Sequence, residues 1–425
     1  MKRSLISAAV ASTLLAATLS PDARAQGSND IEALKAQLQA LQSKVEELEK
    51  QQSEQQAAVD RTTDTLAQSK AATSSSGDWL SRFQFKGDLR YRLENVDPEE
   101  AVTDQTRQRI RARFGFSAKI NDAVSGVVQL ATNGGNNDPR STNQTLGSGF
   151  DRKGIAFDLA YVDWKAFTGT NVQLGKIPQP FYKVGTYFWD NDITPEGIAA
   201  KYAHGSLFAT AYYFQLGELA TASDPTVTGA QVGLKQPVGA VTFTGAIGYY
   251  DVGTVQNKVT AQPAGCASAP NPAFFGGAQG NTTVTIAGCP RLLYDFNIAN
   301  VVGQADFKAG GFPLSVFAEY LQNQDADDFD TGYSVGATLN KAGDPQTWEV
   351  GYIYQKSEKN AQFGQFVDSD FGGGITDVEG NVFRFSYAPL KNWLFNGTYF
   401  MNKRFVDVGT ERDYDRWQLD FSYKF

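Results

Sequence analysis

Past its first twenty residues the chain has no apolar run approaching the ~20 uninterrupted positions that a helical membrane span needs. That excludes a membrane helix, but not a barrel, whose strands alternate between greasy and polar residues. Histidine occurs once, at His204. It falls in a tight turn, His204-Gly205, away from any plausible catalytic nucleophile, so no enzyme is expected. A basic excess is missing too. Lys and Arg number 38 against 46 Asp and Glu, a formal charge of −8 that argues against binding nucleic acid. Gly276, Gly277 and Gly280 sit in a loop rather than between a strand and a helix, so they make no phosphate cradle. No cofactor or metal is expected.

Lys2 and Arg3, the apolar run Leu5 to Leu19, Pro21 and Ala23-Arg24-Ala25 read as a secretory signal peptide over 1–25. No cysteine follows to take a lipid. Residues 29–70 change character, being rich in Gln, Glu, Lys and Ala. Ile31, Leu34, Leu38, Leu41, Val45, Leu48, Gln52, Gln55, Val59, Thr62 and Leu66 step by three and four, which predicts a coiled coil and hence an oligomer. The seam does not separate dimer from trimer. Residues 71–78, with Ser74, Ser75 and Ser76, form a flexible linker, and 79–425 a second domain.

That domain is a succession of period-two segments. At its end Trp417, Leu419, Phe421, Tyr423 and Phe425 share one face, and Gln418, Asp420, Ser422 and Lys424 the other. A strand greasy on one side and wet on the other fits a wall between lipid and water. Phe83, Phe85, Leu89, Tyr91 and Leu93 form another such row, as do Ile110, Ala112, Phe114, Phe116, Ala118 and Ile120. About sixteen such strands can be placed; over 155–166 either face could be the greasy one. Tight turns rich in glycine, proline or Asx residues alternate with long stretches, the longest 253–297, so short turns gather on one rim and long loops on the other. The expected fold is all-β, a transmembrane antiparallel up-and-down barrel preceded by a coiled-coil helix.

In pattern, strand count, loop order and terminal Phe425, residues 79–425 resemble the sixteen-stranded trimeric porins of the Gram-negative outer membrane, among them anion-selective ones with arginine-lined pores. The resemblance implies passive diffusion of small hydrophilic solutes or ions across the outer membrane, through a homotrimer with its coiled coil in the periplasm. It implies contact with outer-membrane lipid and lipopolysaccharide. It also implies that Phe425 is a signal read by the barrel-assembly machinery. A structural tether acting through the coiled coil is the alternative function.

Two features would set selectivity. Lys86, Arg90 and Arg92 on the first strand and Arg107, Arg109, Arg111 and Arg113 on the second point inward as a basic wall, joined by Lys119. Such a wall either biases the pore's field or pairs with acids to hold the lumen's shape. The segment from Pro178 to Glu196 carries Phe181, Tyr182, Tyr187, Phe188 and Trp189, too greasy a set to stand in water. In the porins it resembles, the corresponding loop folds into the barrel with acids facing arginines, which implies that role for Asp190, Asp192 and Glu196. The chain lacks the Pro-Glu-Phe-Gly-Gly run of the enterobacterial general porins, so the details of that constriction are not carried over; a loop packed at a subunit contact is the other reading. Cys266 and Cys289, the only cysteines, lie in the longest loop of an exported chain and are expected to form a disulfide. Asp325, Asp327, Asp328 and Asp330 lack the spacing of a calcium loop and read as a solvated acidic loop.

Overall fold

The computed structural model describes Ser43 and residues 80–133, 138–219, 223–260, 266 and 277–425. The chain divides into two units, Met1–Trp79 and Leu80–Phe425. The expected signal peptide, coiled coil and linker fall outside the described residues, Ser43 apart.

The second unit opens on a short turn of 3-10 helix, Leu80–Arg82, and continues as sixteen antiparallel staves. These are β1 (Phe83–Pro98), β2 (Gln105–Lys119), β3 (Val124–Asn133), β4 (Gly154–Phe167), β5 (Thr170–Lys176) and β6 (Glu196–His204). Next come β7 (Leu207–Gln215), β8 (Thr226–Val238), β9 (Val241–Gly253), β10 (Phe296–Ala309) and β11 (Phe312–Asn323). The series ends with β12 (Thr331–Asn340), β13 (Thr347–Ser357), β14 (Val378–Ala388), β15 (Trp393–Arg404) and β16 (Arg412–Lys424). Consecutive staves pair, and β16 closes on β1 in a register running from Asp88 opposite Lys424 to Pro98 opposite Tyr414. Beyond the ladder the Phe425 N–H donates to the Gly87 carbonyl at 3.0 Å, and the Gly87 N–H to the Phe425 carbonyl at 2.9 Å. Gly87 is small by necessity, since a Cβ there would lie 2.5 Å from the Phe425 ring and 2.7 Å from the Arg113 carbonyl oxygen. A closed ladder leaves no backbone edge facing hydrocarbon.

Alternation puts Leu89, Phe114, Leu174, Ile198, Val232, Ile247, Val335, Phe383 and Phe421 on the outside, all exposed. The polar residues between them face the lumen. The ambiguity over 155–166 has a physical origin. The β3–β4 register slips between Gln129, opposite Leu159, and Leu130, opposite Phe157, leaving Asp158 as a bulge. Before it Ile155 and Phe157 face out; after it Val162 and Trp164 do. Each face is greasy over half the strand, because an extra residue inverts the phase.

Connections on one rim are short, from two residues at 205–206 to six at 341–346. On the other rim they are long, up to 254–295, which carries its own hairpin of Thr283–Ile286 against Cys289–Leu292. Cys266 and Cys289 are joined by a disulfide in that loop. The buried core lies inside the barrel. It gathers Phe188 and Trp189 from the 177–195 connection, Phe363 and Phe366 from the 358–377 connection, and wall residues such as Phe214, Val252, Ile298 and Leu321.

Candidate functional site

The lumen wall formed by β16, β1 and β2 is built of arginines with carboxylates set among them. On β1, period two sends Asp88, Arg90, Arg92 and Glu94 inward; on β2 it sends Arg107, Arg109, Arg111 and Arg113, which lie opposite Glu94, Arg92, Arg90 and Asp88. Like charges facing each other across a ladder repel, so the carboxylates decide the arrangement. Glu94, wholly buried, meets Arg107 at 2.8 Å, Arg109 at 3.4 Å and Arg416 at 2.6 Å. Asp88 takes Arg111 at 2.8 Å and Arg113 at 2.7 Å. Asp420 accepts both forks of Arg92, Nε at 2.6 Å and Nη2 at 2.8 Å. Lys86 stands nearer the short-turn rim, exposed and with no ion pair among the described residues. Lys119 pairs with Asp122 in the first turn. In this wall eight arginines, Arg140 of the 134–153 connection included, meet six carboxylates within 4 Å: Asp88, Glu94, Asp138, Asp192, Asp370 and Asp420. The local balance is therefore positive although the chain is acidic.

The connection 177–195 enters the barrel. Tyr182 exchanges backbone hydrogen bonds with the Gln231 side chain of β8 and sends its hydroxyl to Gln304 of β10 at 3.0 Å. The Thr186 hydroxyl donates to Glu319 of β11 at 2.7 Å, and the Tyr187 N–H to Gln355 of β13 at 2.9 Å. Wall glutamines thus receive the backbone of a segment whose aromatics fill the adjoining volume. Of the three acids assigned to this segment, Asp192 reaches the basic wall, 4.0 Å from Arg111. Asp190 does not face the arginines: it accepts N–H bonds from Asp192 at 2.8 Å and Ser369 at 2.9 Å. Glu196 is the first residue of β6 and pairs with Lys176 at 2.9 Å. The spacing of acids alone did not reveal which way the inserted backbone turns.

A second inserted connection, 358–377, was not foreseen. The Asp190 N–H donates to the Phe366 carbonyl at 2.8 Å and the Asp368 N–H to the Tyr187 carbonyl at 3.0 Å, so the two segments zip together. Trp189 stacks on Phe366 with centroids 4.2 Å apart, and Tyr187 on Phe371 at 5.4 Å. Asn281 of the disulfide-bearing loop holds the outer side, donating to the Lys359 and Gln362 carbonyls and accepting from the Gly364 N–H. The signal was present in Phe363, Phe366 and Phe371, three aromatics in a connection, the feature that marked the first inserted segment. Burial, reinforced by Asp368, pushes the Asp190 carboxyl well above the carboxylate range. Burial and the neighbouring Asp370 push Asp368 up to about 7. Burial opposes ionisation of Asp370 as well, but Arg416 and Arg92 prevail and hold it low. Burial lowers the Lys183 ammonium to about 8.

The aromatic half of the lumen is filled; the larger open volume lies against the arginines and a smaller one beside acidic residues. One cavity of about 600 Å³ is lined by Arg107, Arg109, Arg140, Asn143 and Arg416. A second of about 460 Å³ adjoins Asp158, Lys176, Asp192 and Glu196. Among the described residues no group of His, Cys, Asp and Glu is arranged to hold a metal ion.

Residues 96–292 match the family model described as "Putative porin". No curated protein matches the chain. Among solved structures, Pseudomonas putida OprB superposes with a TM-score of 0.54 at 12% identity, over 83% of this chain and 96% of that one. Vibrio cholerae OmpT lacking loop L8 gives 0.47 at 14% identity, over 81% and 99%. A Rhodopseudomonas blastica porin gives 0.46 at 11% identity, over 81% and 100%. At such identity the likeness to OprB bears on fold alone. The family match runs from the end of β1 to the hairpin after β9, so over that stretch the chain is similar to porins, and its closed sixteen-stave barrel superposes on OprB.

Proposed function

We propose that this protein is a passive channel for small hydrophilic solutes or ions across the bacterial outer membrane, with a lumen biased toward anions. The observation that carries the reading is the open volume on the side of the barrel where arginines outnumber the carboxylates they meet. Fixed charge lining a narrow aqueous path favours counter-ions. Part of that charge is tied up: Asp88 holds two guanidinium groups that would otherwise act on the lumen. The reading includes export by the signal peptide, assembly as a trimer, a periplasmic coiled coil at 29–70, and insertion into lipid through the assembly machinery.

Purified protein in planar bilayers under a KCl gradient tests it. Wild type should give discrete open steps with a reversal potential on the anion side, and Asp88→Asn should move it further that way by freeing Arg111 and Arg113. A shift toward cations would sink the basic-wall account, and folded protein without any conductance would sink the channel and leave the tether.

A further inference from the structure

The Ser141 to Asn143 stretch lies between opposite charges. On one side Arg109 donates to the Ser141 hydroxyl at 3.1 Å and Arg90 to the Asn143 side chain at 2.6 Å. On the other, the Thr142 N–H and hydroxyl both donate to Asp192 at 3.1 Å. This neutral stretch parts the two cavities of the lumen, and Asn133, Asp138 and Ser141 line both. The larger has Arg107, Arg109, Arg140, Arg152, Lys153 and Arg416 in its lining, with Asp138, Asp151 and Asp370 among them. Asp370 is already engaged by Arg92 at 2.9 Å and Arg416 at 2.6 Å. Buried Nε atoms of Arg107, Arg109 and Arg416 have no hydrogen-bond partner. In the smaller cavity Asp158, Asp192 and Glu196 join the shared Asp138, and Lys176 is the basic residue of the lining; from outside it Arg140 meets Asp138 at 3.2 Å and Arg111 lies 4.0 Å from Asp192.

A solute charge in either cavity lies against its lining, closer than a Debye length of about 8 Å, so salt does not erase the contrast between them. A solute with one charge gains at one cavity and loses at the other, whereas a solute with a cationic and an anionic end gains at both. We propose that the channel favours zwitterions with an ammonium and a carboxylate on one short chain, amino acids and short peptides, over neutral or singly charged solutes of equal size. This rests on the channel reading and names its solute class.

Flux into proteoliposomes of the full-length protein decides it with four probes of matched chain length: triglycine, N-acetyl-diglycine, triglycine amide and N-acetyl-diglycine amide. Triglycine should enter at least about threefold faster than the neutral probe, the scale of two partly solvated ion pairs, and faster than either singly charged one. Asp158→Asn with Glu196→Gln should bring triglycine to the rate of N-acetyl-diglycine, each rate being taken relative to the neutral probe. Rates that order by net charge, or triglycine no faster than the neutral probe, overturn the proposal and leave the channel intact. No entry of even the neutral probe overturns the channel reading as well.

Discussion

Asp190, buried, and Asp368, half-buried, are carboxyls of two different connections and stand where those connections meet. Both bind a proton more tightly folded than unfolded, so their contribution is complete at low pH. The share of Asp368 is lost as pH rises from the ordinary carboxylate range to about 7, and that of Asp190 as pH rises through its own raised value. Asp370, held low by Arg416 and Arg92, contributes in the opposite sense, and its share fades only in stronger acid. The zipped segments should therefore be quieter at pH 5 than at pH 8. Open-channel current noise recorded across that range should grow with pH, and Asp368→Asn should flatten the dependence; noise indifferent to pH in the wild type would contradict it. The inward arginines were legible in the sequence because period two fixes which side a residue takes. Their partners were not: Glu94 is separated from Arg416 by 322 residues, and only barrel closure brings them within 2.6 Å.

At the scale of elements the sixteen staves could be read from alternation and turn chemistry, since each strand is dictated locally by what lipid and water require of its two faces. β4 resisted because its bulge at Asp158 depends on pairing with β3 and leaves only a phase change in the sequence. The inserted segments were half legible, their aromatics announcing burial but not what would cover them. Their roots carry a backbone requirement. Gly175 at φ +125° and Gly197 at φ +153° face each other where β5 leads into the inserted segment and β6 leaves it. A Cβ would stand 2.3 Å from the Ala160 carbonyl oxygen at the first and 2.2 Å from that of Tyr213 at the second. Either change to alanine should destabilise the barrel by about 1–3 kcal/mol, seen as a lower temperature for the folded-to-unfolded mobility shift in SDS gels. Gly303→Ala, where a Cβ meets nothing within 4 Å, should leave that temperature unchanged.

For the whole molecule, the seam between β1 and β16 is where a sheet becomes a barrel. Phe425→Ala removes the ring lying over Gly87, and Gly87→Ala forces a Cβ against it. Each should lower the melting temperature in detergent. The double variant should be less impaired than the sum of the two, because the ring is gone and the new methyl is left with the Arg113 carbonyl oxygen, at 2.7 Å; strict additivity would mean that the contact with the ring is incidental. The lumen also divides the cylinder into unlike halves. From β6 to β15 the wall is backed by packed apolar and aromatic side chains, whereas β1 to β4 and β16 border the two open cavities. A bilayer squeezes a cylinder from all sides, and a hollow arc flattens before a solid one. On the hollow arc the members that resist inward bending are the ion pairs radiating from Glu94 and Asp88. Those groups act as spokes as well as charges, so lateral pressure that strains the membrane should bear first on the groups that set the pore's selectivity.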